Sequence, residues 1–349
     1  MEEEASKLAK NFFKEIKENI VNEDVNEFLD EFSSRIENTN EILLLSCGRS
    51  RDSAFLLLDP EFFLRYFKKK IYDPLSRTFP ASSPKSFVEM FPETFLFVIS
   101  GSGKTPYIVE NLSELARKIK EKRIALITGR KGSPADRIVR GKKGIVLYLG
   151  LGKRGILRDI FECSVACLSV FLKSSIKELI KDPIKCLENI FKVTEKGIEN
   201  KNVKILLEKL LTRGKLIIAG TGKSEAIASA AAIRLNHIKG YFGDTVQIAG
   251  ELTGEIRKDD LVVFITFSGM ENRIIKRWYE ESLRKGASIF FLSPKKIGKS
   301  PTITIPTDKR DIFYPAAYIL TTLIALFLKR EFEKKGFVLE PRVKHSLFV

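Results

Sequence analysis

Solid apolar blocks recur along the chain, each ending in a Gly/Ser/Thr turn and followed by a segment of helical periodicity. Residues 41–54, EILLLSCGRSRDSA, run from an apolar strand into a Gly/Ser turn and a polar helix start, and residues 215–228, KLIIAGTGKSEAIA, do the same. TFLFVISGSGKTPYIVENL (94–112) is matched by DLVVFITFSGMENRIIKRW (260–278), and RIALITGRKGSP (123–134) by ASIFFLSPKKIGKSP (287–301). A fourth strand follows in each half, GIVLYLG (144–150) or TITIPT (302–307). Each half then closes on a long apolar helix, Asp159 to Lys173 or Asp311 to Lys329. Such self-similarity marks a duplicated unit. Unbroken apolar strands alternating with amphipathic helices predict parallel sheets covered on both faces. The expected fold is α/β, two tandem αβα units of flavodoxin-like form with parallel five-stranded sheets.

Boundaries follow from the same pattern. Residues 1–40 read as N-terminal helices packing on the first unit, 41–182 as that unit and 183–349 as the second. The linker falls at Lys181-Asp182-Pro183, and one helix over 184–211 leads into the second copy. The halves differ between their first two strands: the first has a Pro/Ser-rich stretch from Pro74 to Pro92, the second a helix and then Tyr241 to Ile256.

Composition narrows the class. Of 349 residues, 44 % are hydrophobic and 30 % charged, a globular balance rather than a disordered one. The longest apolar stretch, Tyr314 to Leu328, is shorter than a spanning helix needs and carries Thr321 and Thr322, so a buried helix is expected. The acidic start, Met-Glu-Glu-Glu-Ala, lacks the features of a signal peptide, and four cysteines in so long a chain are no disulfide framework. Cys163 and Cys167, one helical turn apart in an apolar helix, read as core thiols rather than metal ligands. These features point to a cytoplasmic protein without a membrane partner. A single glutamine, Gln247, in a chain rich in Lys, Glu, Ile and Phe is a bias seen in heat-adapted proteins. The net charge of +16 favours anionic partners. Because the basic residues are scattered and no nucleic-acid motif occurs, phosphorylated metabolites are expected in preference to nucleic acid.

A strand that ends in a Ser-Gly turn and opens a helix presents backbone N–H groups and the positive end of a helix dipole. Ser100-Gly101-Ser102-Gly103-Lys104-Thr105 adds three hydroxyls and a cation, and so reads as a phosphate cradle. It is not a Walker A loop, because Val98 stands where that motif needs its first glycine; Gly222-Lys223-Ser224 fails likewise at Ile217. Neither half carries a dinucleotide fingerprint. In the second half Thr266-Phe267-Ser268-Gly269-Met270-Glu271-Asn272 is bulkier and poorer in hydroxyls, so one phosphate site is expected, in the first half.

The duplicated layout, with Gly48-Arg49-Ser50 and Ser-Gly-Ser-Gly-Lys-Thr in one half, resembles the sugar isomerase (SIS) domain over roughly residues 40–175 and 200–349. Tandem copies resemble the isomerase half of glucosamine-6-phosphate synthase and archaeal phosphosugar isomerases. The segment AAIRLNHIKG with the later AGEL is similar to 3-hexulose-6-phosphate isomerase. The resemblance implies a site between the copies and no cofactor or metal. It implies that Gly48, Ser50, Ser100, Gly101, Ser102 and Thr105 hold the sugar phosphate, with Lys104 in place of the family's usual glutamate. It also implies a homodimer, as is common in the family.

For the proton transfers of aldose–ketose isomerisation, the resemblance points to Glu251 of Gly250-Glu251-Leu252 as base and to His237 as the group that opens the ring or shuttles it. The tail, Pro341-Arg342-Val343-Lys344-His345-Ser346, resembles the synthase's closing segment, so that Lys344 or His345 would reach the sugar. Where the synthase and two-copy isomerases place a histidine shortly after the glutamate, this chain has Thr253-Gly254. Three readings share the site: isomerisation of a hexose or amino-sugar 6-phosphate, deamination of glucosamine 6-phosphate, and non-catalytic sensing of a sugar phosphate. Residues 1–40 are too short for the glutamine-hydrolysing half of a synthase and contain no cysteine.

Overall fold

A computed structural model describes residues 2–76, 78–152, 159–177, 179–212, 214–240, 244–249 and 255–337. The described residues fall into two compact units. An N-terminal unit lies within 14–153 and 160–187, and a C-terminal unit lies within 188–349 together with residues of 1–13 and 154–159.

Two helices open the chain, α1 (Glu2–Ile20) and α2 (Glu23–Ile36), parted where the Asn22 side chain accepts the Val25 N–H at 3.0 Å. Next come β1 (Glu41–Leu45), α3 (Gly48–Leu57), α4 (Pro60–Phe67), β2 (Lys70–Tyr72), α5 (Pro84–Met90) and β3 (Phe95–Ser100). The N-terminal unit continues with α6 (Pro106–Lys118), β4 (Ile124–Thr128), α7 (Pro134–Gly141), β5 (Ile145–Tyr148) and α8 (Asp159–Lys177). The remainder is α9 (Pro183–Ile198), α10 (Lys201–Leu210), β6 (Leu216–Ala219), α11 (Lys223–Lys239), β7 (Val246–Ile248) and β8 (Leu261–Ile265). It closes with α12 (Arg273–Arg284), β9 (Ser288–Ser293), β10 (Thr302–Thr304) and α13 (Arg310–Lys334).

Each unit has one five-stranded sheet, ordered β2-β1-β3-β4-β5 and β7-β6-β8-β9-β10, with every pairing parallel. The expected two-copy architecture is therefore present. Winding reverses between β1 and β3 in one unit and between β6 and β8 in the other, leaving a crevice at the carboxyl ends of those strands. Both faces of the first sheet are buried, which is why its central strands are apolar throughout. Leu43, Leu45, Leu96 and Val98 pack with Leu112 and Leu115 of α6. Alternate residues turn the other way, and the Phe32 ring of α2 lies 5.6 Å from Phe95 and 4.9 Å from Phe97.

The repeat extends to single side chains. Lys69, buried just before β2, donates from Nζ to the carbonyls of Glu37 (3.1 Å) and Thr39 (2.5 Å) beyond the end of α2. Lys239, buried at the end of α11, donates likewise to the carbonyls of Leu210 (2.9 Å) and Thr212 (3.0 Å) at the end of α10. In each unit a lysine ammonium satisfies the orphan carbonyls of the helix that feeds the first strand.

Three details depart from the sequence expectations. The helix expected over 184–211 is two, α9 and α10. They break at Asn200, whose side chain accepts the Asn202 N–H at 3.0 Å and restarts the helix. The stretch from Pro74 to Pro92 contains α5, begun by Pro84 and capped by Ser83. Finally, α13 runs 25 residues and is long and apolar enough by composition to cross a membrane, although 89 % of its most apolar window is buried inside the protein. Cys163 and Cys167 are fully buried in α8.

Candidate functional site

The turn between β3 and α6 is shaped by its own hydroxyls. Ser100 Oγ accepts the Gly103 N–H at 3.2 Å, Ser102 Oγ accepts the Lys104 N–H at 3.2 Å, and Ser102 and Thr105 share a hydroxyl contact at 3.3 Å. Gly103 sits at φ +60°, and a Cβ there would lie 2.1 Å from Ser133 Oγ, so the position requires glycine twice over. Backbone bonds zip this loop to the next one, from Gly129 N to the Gly101 carbonyl and from Ala135 N to the Gly103 carbonyl, both at 3.1 Å. Ser100 and Ser102 are buried, Thr105 is half-buried and Lys104 is exposed.

Helix α6 starts at Thr105-Pro106 with no side-chain cap and no carboxylate in its first turn, while Arg117 and Lys118 occupy its last. The positive end of its dipole is thus left open beside three hydroxyls and a cation, the arrangement that holds a phosphate. The neighbouring turn joins it because Ser46 Oγ donates to the Ile99 carbonyl at 2.9 Å, setting Gly48 (φ +56°) and half-buried Ser50 on the other side of the switch point.

Residues missed in the sequence complete this edge. Helix α3 carries Arg49 and Arg51 and no acidic residue in its first turn, the wrong sign for a helix N-terminus. Each arginine is balanced by a carboxylate from elsewhere in the unit. Arg49 Nε lies 3.2 Å from Glu162 of α8, both side chains buried. Arg51 Nε donates to Asp73 Oδ2 at 2.7 Å, just beyond β2. Tyr107, second residue of α6, is half-buried close by. Burial first, and then the nearby Asp73 and Cys47, push its hydroxyl pKa up to about 12. Two arginines after one strand were the legible signal, but which carboxylates answer them is a matter of folding.

The C-terminal unit treats its crevice differently. There Asn272 caps α12, accepting the Ile274 and Ile275 N–H groups at 3.0 and 3.1 Å, and its Nδ2 donates to Thr221 Oγ1 at 2.9 Å. A single 3₁₀ turn, Gly269–Glu271, fills the loop.

His237 lies in the last turn of α11, half-buried, fourteen residues past Lys223 and so about 21 Å along the helix axis from the Gly222 turn. One turn before it, Arg234 is fully buried with its guanidinium 4.7 Å from the Tyr318 ring. Glu251, Lys344 and His345 lie outside the described residues. Among the described residues, no three His, Cys, Asp or Glu side chains are grouped so as to hold a metal.

Fold and loop define a doubly wound α/β protein with an uncapped, hydroxyl-rich helix start at one switch point. Residues 209–328 match the SIS domain family, and the N-terminal unit repeats the strand order of that segment. The chain is 31 % identical over 97 residues to 3-hexulose-6-phosphate isomerase of Mycobacterium gastri, covering 28 % of this chain and 46 % of that one. It spans about half the length of the curated relatives it matches. Among solved structures, tagatose-6-phosphate ketose/aldose isomerase of Escherichia coli matches with a TM-score of 0.70 at 12 % identity, over 96 % of both chains. The C-terminal domain of glucosamine-fructose-6-phosphate aminotransferase from Francisella tularensis matches with a TM-score of 0.67 at 16 % identity, over 94 % of this chain and 97 % of that one. Identities this low speak for the fold alone.

Proposed function

We propose that this chain is a cofactor-free aldose–ketose isomerase acting on a hexose or amino-sugar 6-phosphate through an enediolate. The observation that carries the reading is the uncapped start of α6 beside Ser100, Ser102 and Thr105, a cradle suited to the phosphate of such a sugar. The phosphosugar isomerase among its relatives supports the choice of substrate class. In this reading Gly48, Ser50, Gly101 and Lys104 complete the phosphate contacts. Glu251 takes the proton beside the carbonyl, His237 opens the ring or shuttles the proton, and Lys344 or His345 reaches the sugar. The Arg49–Glu162 pair holds the turn that presents Ser50.

Proton NMR in D2O with fructose, glucose, mannose, glucosamine and hexulose 6-phosphates tests the assignment. Deuterium entering at the carbon beside the carbonyl, and lost in Glu251→Ala or His237→Ala, is the expected result. Ammonia release from glucosamine 6-phosphate alone would make the chain a deaminase. Tight binding without exchange, abolished by Ser102→Ala, would make it a sensor and end the catalytic roles given to Glu251 and His237.

A further inference from the structure

The side chain of Arg51 is held in a way that its helix does not require. Its Nε donates to Asp73 Oδ2 at 2.7 Å, and its Nη2 lies 2.5 Å from the same oxygen. Asp73 is buried, and its other oxygen accepts the Leu75 N–H at 3.0 Å, so the carboxylate is fixed from both sides. The guanidinium also lies 5.3 Å from the Phe55 ring centroid. Yet the Arg51 side chain remains 29 % exposed. A merely structural ion pair would be expected to bury or release both partners, whereas here a buried acid aims a partly exposed base.

The aim is specific. Gripping Asp73 side-on occupies Nε and one N–H of Nη2 and leaves the edge formed by Nη1 and Nη2, with its two parallel N–H groups. Among the described residues, Nη1 makes no hydrogen bond. Tyr107 stands in the first turn of α6, two residues past Thr105, and is half-buried. Arg51 in the first turn of α3, Asp73 just past β2 and Tyr107 in the first turn of α6 thus all stand at the carboxyl edge of the sheet, the edge that carries the phosphate cradle.

We propose that Arg51, aimed by Asp73, recognises the end of the ligand away from its phosphate, and that this ligand is a phosphosugar whose open-chain form presents a carbonyl and a neighbouring hydroxyl side by side. The inference rests on the phosphosugar reading above. A planar fork pairs with two adjacent acceptors, which a lysine ammonium cannot do. The enediolate carries more negative charge on the same two oxygens, so this contact strengthens as a proton is removed. Arg51 is the specificity-determining residue, and Asp73 is a positioning residue acting through it.

Calorimetric titration of the full chain with inorganic phosphate, fructose 6-phosphate, hexulose 6-phosphate and the deoxy analogue of each sugar that lacks the reacting hydroxyl beside its carbonyl tests the assignment. The unsubstituted chain is expected to prefer a ketose phosphate over its deoxy analogue by about tenfold. Arg51→Lys, which keeps the charge and the helix, is expected to erase that preference while leaving inorganic phosphate affinity unchanged. Asp73→Asn is expected to reduce the preference in part, with circular dichroism confirming a folded chain. Discrimination preserved in Arg51→Lys overturns the role of the fork. Joint loss of phosphate and sugar binding in a folded Arg51→Lys chain overturns it too, by placing Arg51 in the phosphate cradle. An unsubstituted chain that binds none of these sugars overturns the phosphosugar reading itself, and this inference with it.

Discussion

Asn272 joins Thr221 across the C-terminal unit's switch point, Nδ2 donating to Oγ1 at 2.9 Å, while its Oδ1 closes the start of α12. The equivalent helix in the N-terminal unit, α6, begins without any side-chain cap. One fold thus carries a bridged crevice in one copy and an open cradle in the other. Asn272→Ala is expected to lower stability by about 1 kcal/mol in a urea melt, the usual cost of a lost N-cap. It should leave phosphate affinity unchanged, because the C-terminal crevice holds no phosphate in this reading. A large loss of phosphate binding in Asn272→Ala would count against a single cradle.

Within that cradle, Ser102→Ala and Thr105→Val should each weaken inorganic phosphate binding by about tenfold, the effect of one hydrogen bond to a charged group. Gly103→Ala should do more. Its Cβ would meet Ser133 Oγ at 2.1 Å, and its φ of +60° disfavours any side chain. A loss of about 2 kcal/mol in folding stability is expected, read as a lowered melting midpoint.

The Arg49–Glu162 pair is buried on both sides, with side-chain exposures of 7 % and 6 %. Glu162→Ala would strand a guanidinium at the positive end of α3, and a cost of about 3–5 kcal/mol is expected in chemical denaturation. The double variant Arg49→Met with Glu162→Leu removes both charges and should recover much of that loss. Sugar-phosphate affinity should fall in the double variant nonetheless, since the turn bearing Ser50 is no longer pinned.

Tyr107 titrates late, its pKa pushed up to about 12 chiefly by burial and next by the Asp73 carboxylate. The folded state therefore holds this proton more tightly than the unfolded chain, whose tyrosines ionise near 10. The stability it contributes is complete below pH 10 and is lost as pH rises from 10 towards 12. Burial also pushes the Tyr148 hydroxyl up, so ultraviolet tyrosinate titration of the folded protein should show a late phase to which Tyr107 contributes, and Tyr107→Phe should diminish that phase. A late phase of unchanged size in Tyr107→Phe would assign it to other tyrosines.

The central strands were legible because each is a continuous apolar block between turn residues, as in FLFVIS from Phe95 to Ser100 and LVVFI from Leu261 to Ile265. The edge strands β2 and β7 were not. Three residues each, KIY and VQI, and only partly buried, they carry no period of their own and are strands only because β1 and β6 pair with them. The break at Asn200 was hidden because its capping bond satisfies only local backbone and leaves the apolar period running through both α9 and α10.

The amino-acid sequence by itself determined the duplicated, doubly wound α/β architecture and the hydroxyl-rich turn that opens α6. Both follow from local chemistry: apolar runs must be covered on two faces, and a Ser-Gly-Ser-Gly turn before a helix supplies donors wherever it occurs. Only the tertiary structure decided which charges stand beside that loop. Glu162 and Asp73 answer Arg49 and Arg51 because α8 and the end of β2 are folded against the start of α3, and a buried charge selects its partner by proximity in space rather than by spacing along the chain.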